Sequence, residues 1–260
     1  MNQTQKIRKY ELDLASSYFP VGADILEIGA GTGWQAKLLV ERGFSVEAID
    51  IEGSSDVENS VFPVRYYDGI YFPYKDSSFD VVFSSNVLEH IPHVEVLQSE
   101  IRRVLRPGGT VVHVLPTGSW RLWSNFTHYI NVCKIAFFIL FPRRRTDLVA
   151  RQLKNSRKYN YAQLFSLMAI PRKHGVISSN TVSEIYYFSR FYWLRLFRKT
   201  GWDVVYFPNR LFYTSSSIFD TLLGIKVRRF LSYLLGSACL LYVMKDNLHR
   251  KKMDDTLKDL

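Results

Sequence analysis

Cysteine is scarce in this sequence, with only Cys133 and Cys239 among 260 residues. Two distant cysteines exclude a disulfide framework and a cysteine-ligated zinc site, and no other metal site is expected. Both lie in apolar stretches, which predicts two buried thiols. Buried free thiols indicate a reducing compartment, and the cytosol is the expected location.

Long uncharged apolar runs are also missing. The first 14 residues have no apolar core of the kind that a secretory signal needs, so export by that route is not expected. An apolar block at 130–141 is interrupted by Lys134 and is shorter than the about 20 residues that span a bilayer. With 47% hydrophobic and 15% aromatic residues, the chain can bury a sizeable core, most simply as one elaborated domain.

Acidic residues are few in the back half of the chain. Residues 117–260 hold 24 Lys and Arg against 8 Asp and Glu, whereas residues 1–116 hold 10 against 16. The acidic front half argues against a chain that coats nucleic acid along its whole length. The basic back half predicts an anionic substrate or an anionic membrane surface as partner, or simply a solvated basic face.

The front half alternates short apolar runs with segments of helical periodicity. This alternation is typical of a parallel sheet covered by helices, so the fold class is α/β. Strands are predicted at 24–29, 45–51, 62–68, 79–86 and 110–116, and helices at 34–43 and 94–105. The Pro-Gly-Gly segment at 107–109 is interpreted as a turn before the fifth strand.

The alternation breaks after residue 116. The next residues, 117–183, are basic and aromatic, and Arg143, Arg144 and Arg145 follow their apolar block. Further on, the pattern predicts a helix at 185–202, a strand at 203–208, an amphipathic segment at 217–236 and a strand at 238–246. The single domain is therefore divided into a core at 1–116, a cap insert at 117–183, the rest of the sheet at 184–246 and a frayed tail at 247–260.

The stretch ILEIGAGTGW, residues 25–34, places Gly29, Gly31 and Gly33 between a strand and a helix. Glycines there let the backbone approach a ligand, and the helix N-terminus favours its polar end. A phosphate-binding P-loop ends in Gly-Lys and Ser or Thr, which this loop lacks. The dinucleotide fingerprint has a glycine where this chain has the bulky Trp34, so a nicotinamide or flavin cofactor is disfavoured.

The segment Gly29-Ala30-Gly31-Thr32-Gly33 closely resembles the first motif of class I S-adenosylmethionine-dependent methyltransferases. The segments 79–91 and 105–116 are similar to that family's motifs at the fourth and fifth strands, in order and at normal spacing. The resemblance implies S-adenosylmethionine as cofactor. It also implies a Rossmann-like sheet of seven mostly parallel strands with helices on both faces, a cap after strand five and a helical insert before the last strand, which is antiparallel.

The resemblance further implies which residues bind the cofactor. Asp50 closes the second strand, 17 residues after Gly33, where the family binds both ribose hydroxyls. Asp68 lies at the adenine-edge position, and Asn86 lies beside the methionine half. The other expected contacts come from the first motif and from strand ends, namely Glu27, Gly29, Ala30, Gly31, Gly33, Ile51 and Gly69. Glu27 could instead be a surface carboxylate, and Asp68 with Gly69 a plain turn.

The methyl acceptor is less sharply indicated. Enzymes that methylate exocyclic amines of bases or glutamine side chains carry an Asn/Asp-Pro-Pro-aromatic tetrad after strand four. This chain has SSNV at 84–87 instead, so an amine acceptor of this class is not expected. His90 follows strand four, and His174 lies in a loop that resembles bacterial methyltransferases of polysaccharide and cell-envelope pathways. Both are expected to be catalytic or to orient the acceptor. Glu89 could equally be a carboxylate at the start of a helix or a catalytic base.

These features predict a methyltransferase that modifies a small or lipid-linked metabolite, such as a sugar or envelope precursor, at oxygen. It is expected in the cytoplasm, with the cap and the 217–236 segment either lying on the anionic inner face of the membrane or packing as lids. Two alternatives stay open. One is an RNA methyltransferase, although the chain has no recognisable RNA-binding module and nucleic acid is not an expected partner. The other is a non-catalytic cofactor-binding scaffold.

Overall fold

A computed structural model describes residues 3–52, 60–140, 170–178, 180–215 and 223–246. Its centre is a seven-stranded sheet in the order β3-β2-β1-β4-β5-β7-β6. The strands are β1 (Asp24–Ile28), β2 (Ser45–Ile51), β3 (Arg65–Tyr67), β4 (Phe79–Ser85), β5 (Leu105–Pro116), β6 (Trp202–Pro208) and β7 (Cys239–Asp246). All neighbours pair in parallel except β7, which is antiparallel to both β5 and β6. The predicted Rossmann-like α/β fold is confirmed.

The helices of the described residues cover both faces of this sheet. They are α1 (Gln3–Ser16), α2 (Trp34–Val40), α3 (Val94–Val104), α4 (Gly118–Leu140), α5 (Ser183–Tyr187), α6 (Arg190–Lys199) and α7 (Ile225–Leu235), with a 3₁₀ turn at Leu88–His90. On one face, α3 and α6 bury apolar side chains such as Ile101, Trp193 and Phe197. On the other face, α1 and α2 bury Leu12 and Leu39. Because the central strands are covered twice, they appear in the sequence as continuous apolar runs.

The fifth strand begins earlier than the sequence predicts. Phe79 of β4 pairs with Leu105, and Val81 pairs with Thr110, so residues 106–109 bulge out of the ladder. Gly108 adopts a φ of +80° within this bulge. The Pro-Gly-Gly segment is therefore a bulge inside β5 and not a turn before it. The positive φ of Gly108 lets the chain return to the ladder, where pairing resumes at Thr110.

The predicted helix at 185–202 is two helices. Ser189 has an extended backbone, and its hydroxyl accepts a hydrogen bond from the Tyr192 backbone N–H at 3.3 Å. Ser189 is therefore the N-cap of α6, which starts as a separate helix after α5. The sequence pattern also missed α1, where the buried Glu11 interrupts the apolar periodicity. Its carboxylate accepts hydrogen bonds from Asn209 at 2.8 Å and from Tyr213 at 2.7 Å.

The cap insert begins with α4, a helix of 23 residues. Cys133 on this helix is exposed, so the prediction that both thiols are buried is correct only for Cys239. The error arises because Tyr129, Ile130 and Phe137 of the same apolar stretch are exposed as well. Among the described residues, no helix has both the length and the apolar character needed to cross a bilayer. The arginines at 143–145 and the tail at 247–260 lie outside the described residues.

Candidate functional site

The glycine loop follows β1 and leads into α2, as predicted. Gly29, Gly31 and Gly33 all have positive φ, at 70°, 56° and 74°. A Cβ on Gly29 would collide with the Val87 side chain, so the loop also approaches the turn after β4 too closely for a side chain. The backbone N–H groups of Gly29 and Ala30 both donate to the Ile49 carbonyl, at 2.8 Å and 3.1 Å. The loop is thereby fixed against the end of β2 with its backbone close to any ligand.

Asp50 closes β2 directly beside this loop and is buried. One carboxylate oxygen accepts a hydrogen bond from the Gly31 N–H at 2.7 Å, and the other accepts from the Ile51 N–H at 2.7 Å. An ionised carboxylate has about four lone-pair sites, so each oxygen can still accept one further hydrogen bond. Asp50 is therefore placed to hold the loop and a ligand diol at the same time.

Glu27 lies on β1 beneath the loop and is buried, which rules out the reading as a surface carboxylate. It accepts a hydrogen bond from the Ala36 backbone N–H at the start of α2, but its Oε2 accepts none from the residues that the structure describes. Burial raises the pKa of the Glu27 carboxyl to about 8, and the negative charge of Asp50 adds to the shift. The group therefore holds its proton near neutral pH in the ligand-free fold.

Glu27→Gln is expected to flatten the pH dependence of stability. A carboxyl whose folded-state pKa is raised stabilises the fold below its unfolded pKa of 4.5, and that stability is lost as the pH rises towards about 8. The loss is at most about 1.4 kcal/mol per pH unit within this window. The variant should therefore be more stable than the wild type at pH 8 and similar to it at pH 5.

Urea unfolding at several pH values between 5 and 8 measures this difference. Glu41→Gln, on an exposed glutamate after α2, is the matched control and should leave the wild-type slope unchanged. Parallel stability curves for Glu27→Gln and the wild type would show that Glu27 titrates normally.

Two adjoining cavities open at the carboxyl ends of the strands. The inner cavity has a volume of about 360 Å³ and is lined by Gly29, Gly31, Asp50, Asn86, Val87 and His90, among others. The outer cavity, of about 850 Å³, is lined by Asp68, Gly69 and His93, among others. Ile51, Tyr67 and Ile91 line both cavities, so the two form one cleft. Most of the residues predicted to bind the cofactor line this cleft, namely Gly29, Gly31, Asp50, Ile51, Asp68, Gly69 and Asn86. Glu27 lies beneath the loop, and Ala30 and Gly33 belong to the loop but not to the lining of either cavity.

Asn86 and Asp68 adopt local conformations that fit their predicted positions. Asn86 has a φ of 56°, a left-handed conformation that asparagine tolerates well, and its N–H donates to the Val114 carbonyl at 2.8 Å. The Asp68 carboxylate accepts from the N–H groups of Ile70 and Tyr71, both at 2.8 Å, and these bonds lower its pKa. Asp68 is thus a turn residue that also faces the outer cavity, so the two readings of Asp68-Gly69 are compatible.

The structure brings His90 and His174 together from distant parts of the sequence. Their ring centroids are 4.9 Å apart, and Trp120 of α4 contacts the His174 ring at 4.8 Å. Burial lowers the pKa of His90 below its usual range, and the nearby carboxylate of Glu89 opposes this shift. Glu89 is fully buried between the two imidazoles, with its Oε1 3.9 Å from His90 Nε2 and 3.8 Å from His174 Nε2.

The sequence did not indicate how the His174 loop is held. Glu184 Oε1 accepts hydrogen bonds from the backbone N–H groups of His174 and Gly175, at 2.7 Å and 2.8 Å. Its other oxygen forms a buried ion pair with Arg121 Nε at 2.7 Å. Arg121 and Glu184 are 63 positions apart in the chain, and no local pattern marks either residue as a partner of the other. Together they fix the loop to α4 and α5.

Known proteins resemble this chain in sequence. A sequence model of a family described as "Methyltransferase domain" matches residues 3–206. The chain is 34% identical over 128 residues to the biotin biosynthesis bifunctional protein BioHC of Cellvibrio japonicus (strain Ueda107), covering 44% of this chain and 26% of that protein. It is 31% identical over 134 residues to an uncharacterized methyltransferase of Mycobacterium sp. (strain KMS), covering 47% and 51%. The matches thus span about half, or less, of the length of these curated relatives.

The fold has solved counterparts as well. An S-adenosylmethionine dependent methyltransferase from Mesorhizobium loti superimposes with a TM-score of 0.52 at 17% identity, covering 90% of this chain and 97% of that one. This likeness concerns the fold alone. The family match covers well over half of the chain and includes the glycine loop, Asp50 and the turn after β4. The chain belongs to the methyltransferase domain family of class I S-adenosylmethionine-dependent methyltransferases, whose cofactor is S-adenosylmethionine.

Proposed function

We propose that the protein transfers a methyl group from S-adenosylmethionine to a hydroxyl oxygen of a small or lipid-linked metabolite, such as a sugar or cell-envelope precursor. The observation that carries this proposal is the convergence of His90 and His174 at the rim of the inner cavity, where Asn86 and the glycine loop also lie. An oxygen acceptor must lose a proton during transfer, whereas a good carbon acceptor is already nucleophilic. Two imidazoles at this place suit an oxygen acceptor.

The residues of the cleft fit the cofactor. The glycine loop offers backbone where a Cβ would collide, Asp50 offers acceptors to a ribose diol, and the orphaned Glu27 oxygen lies beneath the loop. When bound, S-adenosylmethionine supplies an electrophilic methyl group on a positively charged sulfur. The roles proposed for Asp50, Asp68 and Asn86 are binding of ribose, adenine and the methionine half, with Gly69 and Ile51 shaping the adenosine side.

The residues after β4 would act on the acceptor. Methyl transfer is an in-line displacement, so the protein chiefly aligns the acceptor oxygen with the methyl carbon and excludes water. The aromatic side chains of Trp120 and Phe188 pack against His174 and exclude water from that side. An unprotonated imidazole of His90 or His174 can take the proton of the hydroxyl as the carbon–oxygen bond forms and the carbon–sulfur bond breaks.

An exposed apolar surface supports a lipid-linked acceptor. The helices α4 and α7 are neighbours, since Trp123 Nε1 donates to the Leu235 carbonyl at 2.9 Å. On α7, Phe230 and Leu234 are 63% and 69% exposed, and the basic Lys226 and Arg229 are exposed beside them. The helix α4 also exposes apolar side chains, namely Leu122, Phe126, Tyr129 and Ile130. We call the exposed apolar residues named here, from α4 and α7, the apolar surface.

Apolar side chains among basic residues suit the headgroup region of an anionic membrane. We propose that this surface rests on the inner face of the membrane and brings the cleft to its acceptor. A lid function of the same helices is the alternative, because Trp120 of α4 contacts His174 beside the inner cavity.

A turnover assay with three acceptor classes tests the proposed function. Conversion of S-adenosylmethionine to its demethylated product is measured with hydroxylated sugars in solution, with lipid-linked sugars in anionic vesicles and with structured RNA. Turnover with either of the first two classes supports the proposal. Salt-sensitive binding and methylation of RNA would favour the RNA alternative, and cofactor binding without turnover on any class would favour the scaffold.

Vesicle co-sedimentation tests the membrane contact. Phe230→Asp is expected to weaken binding to anionic vesicles about 10- to 100-fold, because insertion of an aromatic side chain contributes about 1.5 to 3 kcal/mol. Val21→Asp, at an exposed valine outside the apolar surface, is the matched control and should bind as the wild type does. Equal binding by Phe230→Asp and the wild type would favour a lid.

A further inference from the structure

Glu89 is a buried carboxylate without hydrogen bonds. Both of its oxygens are shielded from solvent, and neither accepts a hydrogen bond from the residues that the structure describes. A buried ionised carboxylate is costly unless a cation or hydrogen-bond donors compensate it. A second buried acid, Glu184, is nearby, but it is already paired with Arg121. One buried carboxyl group in this region therefore lacks both a hydrogen bond and a buried counter-ion among the described residues.

The atoms nearest to Glu89 are the Nε2 atoms of His90 and His174. They lie 3.9 Å and 3.8 Å from Oε1, and the ligand atoms of the three residues are all within 4.8 Å of one another. With metal–ligand bonds of about 2.1 Å, adjacent ligands of one ion lie about 3.0 to 3.4 Å apart. Both imidazole side chains are partly exposed, at 43% and 37%, so small rotations can close the remaining gap.

The backbone around these three residues is rigidly built. The Val176 N–H donates to the Glu89 carbonyl at 2.9 Å, and a Cβ on Gly175 would lie 2.7 Å from the same oxygen. Glu184 holds the two residues before Val176 by their N–H groups. The His174 loop is thereby clamped onto the 3₁₀ turn that carries Glu89 and His90. Ligands fixed by surrounding contacts in this way are typical of metal sites.

We propose that Glu89, His90 and His174 bind a divalent transition-metal ion at the rim of the inner cavity. Two imidazole nitrogens and one carboxylate suit Zn²⁺, Fe²⁺, Mn²⁺ or Co²⁺ better than Mg²⁺, which prefers an all-oxygen shell. Three protein ligands leave coordination positions open. Because His90 lines the inner cavity, the open positions lie beside the expected methyl acceptor.

This inference rests on the proposed function and changes the role of the two imidazoles. With a metal bound they are ligands, so they cannot also take up a proton. The acceptor hydroxyl binds the metal instead, and the positive charge lowers its pKa so that its proton passes to water. The resulting alkoxide attacks the methyl carbon, a carbon–oxygen bond forms, and the carbon–sulfur bond breaks with its electron pair remaining on sulfur.

Titration of Co²⁺ and Zn²⁺ into the untagged, chelator-treated full chain tests the metal site. We expect one ion per chain, with visible Co²⁺ absorption bands that reflect nitrogen and oxygen ligands. His174→Ala and Glu89→Gln should each weaken binding at least about a hundredfold, since loss of an outer-shell partner alone costs 10- to 100-fold. Glu95→Gln, at an exposed glutamate of α3 that lines neither cavity, is the matched control and should bind as the wild type does.

Binding of the demethylated cofactor product, measured on the same samples by calorimetry, separates the two proposals. It should be unchanged in all three variants, which would also show that they are folded. Absence of stoichiometric metal binding in a chain that binds the cofactor product, or equal affinity of His174→Ala and the wild type, would overturn the metal site. Failure to bind the cofactor product by a chain that binds metal would instead overturn the proposed function. If turnover is insensitive to chelator, the metal has no part in methyl transfer, and the two histidines act as proton acceptors.

Discussion

Replacement of Asp50 by alanine is expected to weaken binding of S-adenosylmethionine and its demethylated product by about 100- to 10,000-fold. Two ribose hydroxyls donating to the carboxylate are worth about 1.5 to 3 kcal/mol each, because hydrogen bonds to charged groups exceed neutral ones. The same substitution removes the acceptor of the Gly31 N–H, which lies 2.7 Å from Asp50 Oδ2. The loop then loses its anchor to β2, and the cofactor must reorder it on binding.

Asp50→Asn separates these two effects. The amide keeps one oxygen for a backbone N–H but offers no charge and only one acceptor group, so we expect an affinity between those of the wild type and Asp50→Ala. Asp203→Ala is the matched control, because it removes an exposed aspartate from β6 at the far edge of the sheet. Calorimetric titration measures the affinities, and circular dichroism shows whether each variant is folded. Wild-type affinity in a folded Asp50→Ala would contradict the assignment of the ribose site.

The cofactor half of the site, as we propose it, consists of the glycine loop and Asp50. It could be predicted from the sequence because its determinants are local. The three loop glycines are needed for positive φ and close approach within one strand-to-helix turn. Asp50 is buried because it ends an apolar central strand, and the register of β1 with β2 brings it to the loop. Parallel strands with apolar runs on both faces have a strong pattern, so β1, β2 and β4 were predicted to within one residue.

The acceptor half, as we propose it, consists of Glu89, His90 and His174. It depends on contacts between distant segments, which periodicity does not reveal. Glu89 follows β4 and His174 lies 85 positions later, yet their ligand atoms are 3.8 Å apart. Their proximity depends on the contacts of the His174 loop with Glu184 and with the Glu89 carbonyl, and no residue spacing encodes it. The sequence pattern also does not reveal which single polar residues are buried. Arg228, for example, is fully buried on a helix whose apolar Phe230 and Leu234 are exposed.

The ion pair of Arg121 and Glu184 is the contact on which the acceptor half depends most. Arg121 is 4% exposed and Glu184 is fully buried. Arg121 also donates to the Arg172 carbonyl at 2.6 Å, so it contacts the His174 loop directly as well as through Glu184. Removing one member of a buried pair leaves the other charge uncompensated, which typically costs about 3 to 5 kcal/mol.

Arg121→Met is therefore expected to lower the free energy of unfolding by about 3 to 5 kcal/mol and the melting temperature by about 10 °C. The double variant with Glu184→Gln should recover much of this loss. A glutamine side-chain oxygen still accepts from the His174 and Gly175 N–H groups but carries no buried charge. Arg198→Met, at an exposed arginine of α6, is the matched control and should change stability by less than about 0.5 kcal/mol.

Unfolding by urea gives the free energies, and hydrogen exchange reports on the loop. The His174 and Gly175 amides should exchange faster in Arg121→Met, because Glu184 is no longer held in place beneath them. Turnover should fall because His174 is displaced. The affinity for the cofactor product should stay at the wild-type level, because Asp50 and the glycine loop belong to other elements. A single variant as stable as the wild type, or a double variant no more stable than the single one, would show that the pair does not hold the acceptor half together.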